Sequence, residues 1–495
     1  MARITINPGD PIATINPNIY GHFAEHLGRC IYDGIWVGED SPIPNTGGIR
    51  NDVVAALRKM KPAVIRWPGG CFADDYHWED GVGPRADRPR RVNIHWGEVT
   101  ESNAFGTQEF VRFCRLVGAE PYIVGNVGSG TVRELREWVE YCNYDGDSTL
   151  AQRRAADGSP EPLDVIFWGI GNENWGCGGS FSPEDYGAAF RRYATFVRGF
   201  GKDLFVIACG PPGNDIEWTM RFFRKLRRDY WDFRNIHGFA AHYYCGTAGT
   251  ATEYTVDQWY ALIHKGLRME DLVIQQRAAM DAYDPERKIG LIVDEWGTWH
   301  PVEPDMHPRF LYQQNTLRDA LVAATTLDIF NRHADKVVMA NIAQTVNVLQ
   351  AMILTKGEQA VVTPTGYVYE LYAPHQGATA VRATIETESV AFAAPEGEGY
   401  LPLVAGSASL KGDTLFVTLT NAHASDPVAV GVGLLGGATA RGATACVLTG
   451  EIHAHNAFEA PETLMPTAMD VEVAGRDFTV ELPAASVVAL EIALA

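Results

Sequence analysis

Two glutamates each end an apolar run and lie next to tryptophan. Glu173 is in "FWGIGNENWGCGG", residues 167–179, and Glu295 is in "LIVDEWG", residues 291–297. Paired carboxyl groups suit acid–base and nucleophilic chemistry, because one can carry a proton while the other stays ionised. The two are far apart in sequence, so they act together only if the fold brings both runs to one place.

Short apolar runs, each followed by a longer segment of helical periodicity, occupy residues 15–372. The runs are continuous rather than alternating in polarity, as strands covered on both faces are. Eight such units predict an α/β fold class, a (β/α)8 TIM barrel with insertions. The alternative is an open doubly wound sheet, but the Gly-rich phosphate turn that usually follows its first strand is absent. The strand runs are "NIYGHFAEH" (18–26), "AVIRWPGG" (63–70), "EPYIVGNVG" (120–128), "DVIFWGIGNE" (164–173), "LFVIACG" (204–210), "GFAAHYY" (238–244), "IGLIVDE" (289–295) and "VVMANIAQ" (337–344).

Amphipathic segments between these runs predict the helices. Ser182 and Pro183 begin one of them with an N-cap and a proline in the first turn. Residues 255–283 predict one long helix, and a weaker segment at 366–372 would close the ring.

The pattern changes after residue 372. Segments such as "DTLFVTLTNA" and "DPVAVGVGLLG" alternate in polarity between turn residues, which predicts strands. We expect residues 15–372 to form the catalytic barrel and residues 373–495 an antiparallel, jelly-roll-like β-sandwich. Residues 1–14 would add an edge strand to that sandwich.

Composition limits the classes of partner. Lys plus Arg number 41 and Asp plus Glu 61, and the net charge of −20 repels polyanions. Nucleic acid, anionic membranes and acidic polysaccharides are therefore disfavoured, and neutral sugars remain open. We expect no signal peptide and no membrane span. The eight cysteines include no C-x-x-C pair, and several lie inside predicted helices or strands, as reduced cytoplasmic cysteines do.

The carboxyl ends of the predicted strands collect many polar residues. In a TIM barrel the loops after these ends form one mouth, so residues far apart in sequence meet there. Opposed carboxylates after strands four and seven, Glu173 and Glu295, are what glycoside cleavage needs. Nearby tryptophans would offer flat walls for sugar rings: Trp168, Trp175, Trp296 and Trp299. The polar residues are Glu25, His26, Arg66, Cys71, Asn126, Asn172, His242, Tyr244, Asp294, Asn341 and Gln344.

Other interpretations stay open at this point. Each glutamate could instead cap the following helix or pair with an arginine. A sugar-binding protein without catalysis would not need two opposed glutamates. A metal-dependent barrel hydrolase lacks an H-x-H pair at the end of the first strand; its ligands would be His22, His26, His242 and Asp294.

Five motifs in order resemble one family. They are "GHFAEHLGR", "RWPGGCFADDYHWEDGVGP", "GNENWGCGG", "DEWG" and "ANIAQTVNVLQ". Together they are similar to glycoside hydrolase family 51, the intracellular α-L-arabinofuranosidases, from about residue 15 to residue 370. The region after residue 370 also resembles the usual second domain of that family.

The resemblance implies a retaining mechanism with Glu173 as acid/base and Glu295 as nucleophile. Arg66 and Tyr244 would hydrogen-bond the nucleophile and keep it ionised. For Phe23 and Trp96, plain packing is the alternative to a place in the sugar pocket. The residues expected to hold the sugar are Glu25, Cys71 (through its backbone N–H), Asn172, Tyr244, Gln344, Phe23, Trp96, Arg66, His242 and Trp299.

The resemblance also implies the reaction. We expect exo-hydrolysis of terminal α-L-arabinofuranosyl residues from arabinose-containing oligosaccharides, without metal or cofactor, by a homo-oligomer, a hexamer in many relatives. Endo-β-1,4-glucanase or β-xyloside-cleaving activity is the alternative within the family. Retention predicts carboxyl groups about 5–5.5 Å apart, whereas a gap above about 6.5 Å would favour inversion.

Cys71 and Cys177 both lie on loops expected at the mouth. Reduced thiols are the expectation for a cytoplasmic protein. A disulfide is the alternative, and it requires Cα atoms no more than about 7 Å apart.

Overall fold

The computed structural model describes residues 2–228, 233, 235–246, 248–394 and 397–495. Its larger part is a closed barrel of eight parallel strands, in which the last strand pairs with the first. This confirms the predicted TIM barrel and its eight strand runs. The strands are β1 (Gly21–Phe23), β2 (Val64–Trp67), β3 (Glu120–Gly125), β4 (Phe167–Ile170), β5 (Phe205–Ala208), β6 (Gly238–Gly246), β7 (Gly290–Trp299) and β8 (Val337–Ala343).

The barrel interior is a packed core rather than a pore. Inward-facing side chains from most strands fill it, as is usual in TIM barrels. Polar chemistry is therefore confined to the two ends of the barrel. The core residues are Val64, Tyr122, Val124, Phe167, Ile207, Ala240, Ile292 and Met339.

The helices differ from the prediction in two places. Residues 255–283 form two helices, because the chain breaks at Arg268, just after the poor helix former Gly266. Residues 149–156 form an unpredicted helix, whose N-cap Ser148 accepts the N–H of Ala151 at 3.2 Å. The helices are α1 (Asn51–Met60), α2 (Thr107–Val117), α3 (Val132–Asn143), α4 (Thr149–Ala156), α5 (Pro183–Phe196), α6 (Ile216–Arg228), α7 (Val256–Leu267), α8 (Met269–Asp281), α9 (Leu317–Arg332) and α10 (Pro364–Tyr372).

The second part of the chain is a mostly antiparallel sheet of nine strands, which confirms the predicted C-terminal β domain. The sheet curls over, since Asn421 at the end of one strand donates to the carbonyl of Leu482, five positions away in strand order. Its apolar side chains are enclosed by that curl. The strands, in sheet order, are Thr467–Ala468, Ala440–Thr449, Ser486–Leu494, Thr414–Asn421, Val404–Lys411, Thr379–Glu386, Ala2–Thr14, Val428–Leu434 and Asp477–Leu482.

The N-terminal strand Ala2–Thr14 lies inside this sheet and not at its edge. It pairs antiparallel with Thr379–Glu386 and parallel with Val428–Leu434. Ile4 and Ile6 are fully buried, so the strand contributes to the core of the second domain. The division of the chain at residues 372 and 373 stays a prediction.

A buried polar cluster joins the barrel to the second domain. Asp328 on α9 accepts hydrogen bonds from Ser407 Oγ at 2.7 Å, Thr418 Oγ1 at 2.6 Å and Tyr372 Oη at 3.0 Å. Burial raises the pKa of Asp328 to about 6, although these hydrogen bonds lower it. The cluster fixes the second sheet against a barrel helix.

Smaller two-stranded sheets complete the fold. The two-stranded sheets pair Asn45–Thr46 with Ile49–Arg50, Arg91–Val92 with Thr100–Glu101, Ile353–Lys356 with Gln359–Val362, and Ser389–Ala394 with Gly397–Pro402.

In the described parts of the chain, no helix combines the length and the apolar character needed to cross a membrane.

Candidate active site

Glu173 and Glu295 lie at the same end of the barrel. Glu295 is in β7, and Glu173 follows the end of β4. An oxygen of each carboxyl group and Nδ1 of His242 all lie within 4.8 Å of one another. The two carboxyl groups can therefore contact the same small molecule.

The chain leaves β4 through a turn that requires glycine. Gly171 has φ of 80°, and a Cβ atom there would lie 2.1 Å from Oδ1 of Asn174. Glu173 itself has φ of 41°, in the left-handed region that non-glycine residues seldom adopt. This turn directs the Glu173 side chain into the mouth of the barrel.

Glu295 is held as an anion. It is 5% exposed and accepts hydrogen bonds from Arg66 Nη1 and Tyr244 Oη, both at 2.8 Å. Burial raises the pKa of Glu295, but the charges of His242 and Arg66 and the two hydrogen bonds outweigh burial and leave the pKa below its usual value. An ionised carboxylate in this position suits nucleophilic attack.

His242 lies between the two catalytic candidates. Its Nδ1 is 2.9 Å from Oε1 of Glu173 and 3.6 Å from Oε2 of Glu295. Burial lowers the pKa of His242, but the two carboxylates reverse that effect, so the pKa is raised. His242 is thus within hydrogen-bonding distance of Glu173, beside the anionic Glu295.

Glu25 supplies a third carboxyl group to the mouth. Its Oε1 accepts from Trp96 Nε1 at 2.9 Å and its Oε2 from Gln344 Nε2 at 3.0 Å. Burial and the charge of Glu295 raise its pKa to about 7. A Cβ atom on Gly70 would lie 3.1–3.2 Å from oxygens of Glu25 and Glu295, so the glycine keeps the space between the two carboxyl groups open.

Arg66 connects several of the predicted residues. Its guanidinium also contacts Asp294 Oδ2 at 3.1 Å and Asn172 Oδ1 at 2.5 Å, and it stacks on Phe23 at 4.6 Å. Phe23 is buried under this group, so it packs against the residue that holds Glu295. Asp294 is bound in turn by Tyr122 Oη and Asn341 Nδ2, both at 2.8 Å.

Two buried amide groups keep free hydrogen-bonding atoms. Nδ2 of Asn172 and Oε1 of Gln344 have no partner among the described residues. Buried polar atoms are nearly always paired with protein or water, so these two atoms suit hydroxyl groups of a bound ligand.

The tryptophans divide into two groups. Trp299 is 37% exposed and packs edge-on against Tyr244, with ring centroids 5.1 Å apart, and Trp175 is half-buried. The prediction that Trp168 and Trp296 wall the mouth is wrong, because both are fully buried. Successive strand residues point to opposite faces, so Trp296 points away from the side of Glu295.

The structure does not assemble the metal site of the rival hydrolase interpretation. His22 packs on Tyr369, and His26 contacts Glu101 at 3.4 Å. In the described part of the chain, neither histidine nor Asp294 belongs to a group of three metal-ligand side chains. Glu173, His242 and Glu295 have the spacing for a cation, but the adjacent Arg66 charge opposes one there.

Cys71 and Cys177 form a disulfide, with Cα atoms 5.5 Å apart. The expectation of reduced thiols is wrong for this pair, because the loops after β2 and β4 meet at the mouth. Sγ of Cys177 lies 3.6 Å from Oε2 of Glu173. The bond therefore joins the loop of Glu173 to the loop after Gly70.

Sequence reasoning missed Asp74. This buried acid accepts hydrogen bonds from the loops that follow β3 and β4, and burial raises its pKa to about 7. The only signal was the acidic doublet in "CFADD", which has no periodic pattern. Asn126, which the sequence placed at the mouth, binds Ser129 and Gly130 of its own loop instead.

A barrel mouth that holds two opposed carboxyl groups is the arrangement of a glycoside hydrolase. Two family models match the chain: an alpha-L-arabinofuranosidase 1 domain over residues 56–256 and an alpha-L-arabinofuranosidase C-terminal domain over residues 294–486. A Bacteroides ovatus protein named intracellular exo-alpha-L-arabinofuranosidase is 43% identical over 99% of this chain and 95% of its own length.

Solved structures of arabinofuranosidases are also similar to this chain in sequence and in fold. The GH51 arabinofuranosidase from Xanthomonas axonopodis pv. citri is 43% identical, with a TM-score of 0.94 over 99% of this chain and 100% of that one. The thermostable GH51 alpha-L-arabinofuranosidase from Thermotoga petrophila is 31% identical, with a TM-score of 0.87 over 99% and 100%. The chain belongs to the glycoside hydrolase family 51 α-L-arabinofuranosidases, as its motifs predict.

Proposed function

We propose that this protein is a retaining exo-α-L-arabinofuranosidase that removes terminal non-reducing α-L-arabinofuranosyl residues from arabinan or arabinoxylan fragments. The proposal depends above all on the Glu173–Glu295 pair, whose nearest oxygens lie within 4.8 Å. Retaining glycosidases keep their carboxyl groups about 5–5.5 Å apart, whereas inverting enzymes need about 6.5–9.5 Å to admit water. The short separation supports double displacement.

In the first step Glu295 attacks the anomeric carbon. Arg66 and Tyr244 keep the attacking carboxylate ionised and oriented. The carboxyl proton of Glu173 passes to the glycosidic oxygen as the bond to the sugar breaks. The products are an arabinosyl ester on Glu295 and a free alcohol.

In the second step water hydrolyses the ester. Glu173, now ionised, takes a proton from the water while the water oxygen attacks the anomeric carbon. Glu295 leaves as a carboxylate, and L-arabinose is released with its original anomeric configuration. The proton taken from water restores the carboxyl group of Glu173, so the cycle closes.

We assign the recognition of the sugar to the side chains around the pair. Asn172 and Gln344 offer their free amide atoms to sugar hydroxyls. Glu25 and Trp96, which are hydrogen-bonded to each other, and the partly exposed Trp299 complete the proposed sugar site. Cys71 contributes through its backbone N–H.

Exo action is part of the proposal, supported by the name of the Bacteroides ovatus relative. An endoglucanase or β-xylosidase of the same family is not favoured. Hydrolysis of arabinosylated oligosaccharides, compared with a soluble glucan and p-nitrophenyl β-xyloside, checks this assignment. Free arabinose as the first product supports exo action, and internal cleavage of the glucan contradicts it.

Variants of the two glutamates test the mechanism. Glu295→Ala should nearly abolish turnover of every substrate. Glu173→Ala should spare the first step for aryl glycosides with good leaving groups, and added azide should be captured as the α-L-arabinosyl azide, because azide replaces water in the second of two inversions. Glu161→Ala, at an exposed acid, is the control. Equal losses of Glu173→Ala on activated and unactivated substrates would show that the acid role is wrong.

We further propose that the protein acts in the cytoplasm as a homo-oligomer, a hexamer by family resemblance. The word intracellular in the name of the Bacteroides ovatus protein supports the location. Light scattering coupled to gel filtration measures the assembly, and a monomeric mass would contradict it.

A further inference from the structure

Asp74 ends the short turn Cys71–Asp74 after β2, and its carboxylate collects four N–H groups. Oδ1 accepts from the backbone N–H of Val127 and of Gly128, both at 2.7 Å. Oδ2 accepts from the backbone N–H of Asn172 at 2.7 Å and from Nδ2 of Asn174 at 3.3 Å. One buried carboxylate thus ties together the loops after three successive strands.

The two groups bound by Oδ2 stand on either side of Glu173. Glu173 has a left-handed φ of 41°, which costs a non-glycine residue free energy and persists only where the surroundings impose it. The loop is closed further by the N–H groups of Gly176 and Gly178, which donate to the Glu173 carbonyl at 2.7 and 3.1 Å. Asp74 stabilises the left-handed conformation of Glu173 through its hydrogen bonds to the residues before and after it.

The packing around Asp74 leaves little room for another arrangement. A Cβ atom on Gly178 would lie 2.5 Å from Oδ2 of Asp74 and 2.0 Å from the Asn172 carbonyl. A Cβ atom on Gly128 would lie 3.0 Å from Cβ of Asp74. The chain therefore approaches this carboxylate as closely as glycine permits, on two sides.

A carboxylate suits this position better than an amide. All four neighbours are donors, and a carboxyl group presents an acceptor oxygen to each pair of them. An asparagine would turn one N–H₂ group toward two donors, so two hydrogen bonds would be lost and the donors would repel it.

We propose that Asp74 is a positioning residue that sets the Glu173 carboxyl group for proton transfer to the leaving oxygen. The inference rests on the proposed acid/base role of Glu173. General acid catalysis contributes about 10²–10⁴-fold to rate, and a misplacement of about 1 Å costs about 100-fold. Removing Asp74 should therefore slow the reactions that need the acid and spare those that do not.

The experiment compares two substrates of the full-length enzyme. Asp74→Asn should lower kcat about 100-fold on arabino-oligosaccharides, whose leaving group must be protonated, and less than about 5-fold on 2,4-dinitrophenyl α-L-arabinofuranoside. Asp75→Asn makes the same charge change one residue away, where the half-buried side chain faces His77 and His95, and should leave both rates nearly unchanged.

A purely structural role of Asp74 would change the rates on both substrates alike. If Asp74→Asn lowers both rates equally, or neither, the inference is overturned. Should Asp74→Asn fail to fold, Asn174→Ala decides, because it removes only one bond to Oδ2 and the bond to the Gly178 carbonyl. We expect Asn174→Ala to show the same substrate dependence with a smaller amplitude, and an equal loss on both substrates overturns the inference.

Glu173→Ala separates the two hypotheses. If this variant shows no dependence on the leaving group, the proposed acid role fails and the inference fails with it. If Glu173→Ala shows the dependence and Asp74→Asn does not, only the role of Asp74 is refuted.

Discussion

The hydroxyl group of Tyr244 should lower the pKa of Glu295, the proposed nucleophile. It donates to Oε2 of Glu295 at 2.8 Å, inside a site where Glu295 is 5% exposed. Tyr244→Phe removes this donor and changes little else in volume. Glu295 then keeps the charges of Arg66 and His242 but loses one hydrogen bond to its ionised form.

The size of the effect follows from the loss of that bond. A hydrogen bond to a charged group contributes about 1.5–3 kcal/mol, and a shift of one pKa unit corresponds to about 1.4 kcal/mol. The pKa of Glu295 should therefore rise by about 1–2 units in Tyr244→Phe. Because Glu295 must be ionised to attack, the acid limb of kcat/KM should move to higher pH by the same amount.

The assay is the pH dependence of kcat/KM on p-nitrophenyl α-L-arabinofuranoside. Tyr243→Phe is the matched control, since its hydroxyl donates to the Lys265 carbonyl at 2.7 Å, away from the catalytic pair. An acid limb that stays in place in Tyr244→Phe, or moves equally in Tyr243→Phe, would refute the reasoning.

Two further predictions concern stability and covalent structure. The pKa of Asp328 is about 6 in the folded protein and about 4 in the unfolded chain, so the folded protein binds the proton more tightly. The free energy of unfolding should therefore fall by about 3 kcal/mol as the pH rises from about 4 to about 6. In urea unfolding at pH 4 and pH 7, Asp328→Asn should reduce the total fall in stability by about that amount; Glu25 and Asp74, whose pKa values are also raised, account for a further part. The exposed-site control Asp413→Asn should keep the full fall, and an unchanged fall in Asp328→Asn would contradict the assignment. The Cys71–Cys177 disulfide leaves six free cysteines, so alkylation of the denatured, unreduced chain should add six labels and prior reduction should raise the number to eight. Eight labels without reductant would show that the bond is absent.

Local sequence patterns predict much of this protein. Strand and helix periodicity depends on neighbours along the chain, so the eight barrel strands were readable without coordinates. The geometry of the barrel then places strand ends at one mouth. That rule alone brings Glu173, Glu295 and Glu25 near one another.

Other features depend on which distant segments meet. The sequence predicts that the N-terminal strand is an edge strand. In the structure Ala2–Thr14 lies between two strands that both come from beyond residue 378. Trp296 is predicted to line the mouth because it is next to Glu295 in sequence. Successive side chains of a strand point to opposite faces, so Trp296 is buried on the face away from Glu295.

The sequence by itself determined the barrel, its motifs and the pair of candidate catalytic glutamates. These follow from local periodicity and from the convergence of the strands' carboxyl ends at one mouth. Only the tertiary structure decided that Cys71 bonds to Cys177, that His242 lies between the two carboxyl groups, and that Asp74 holds the loop of Glu173. These contacts join residues from different loops, and their distances depend on the packing of the whole mouth rather than on any one segment.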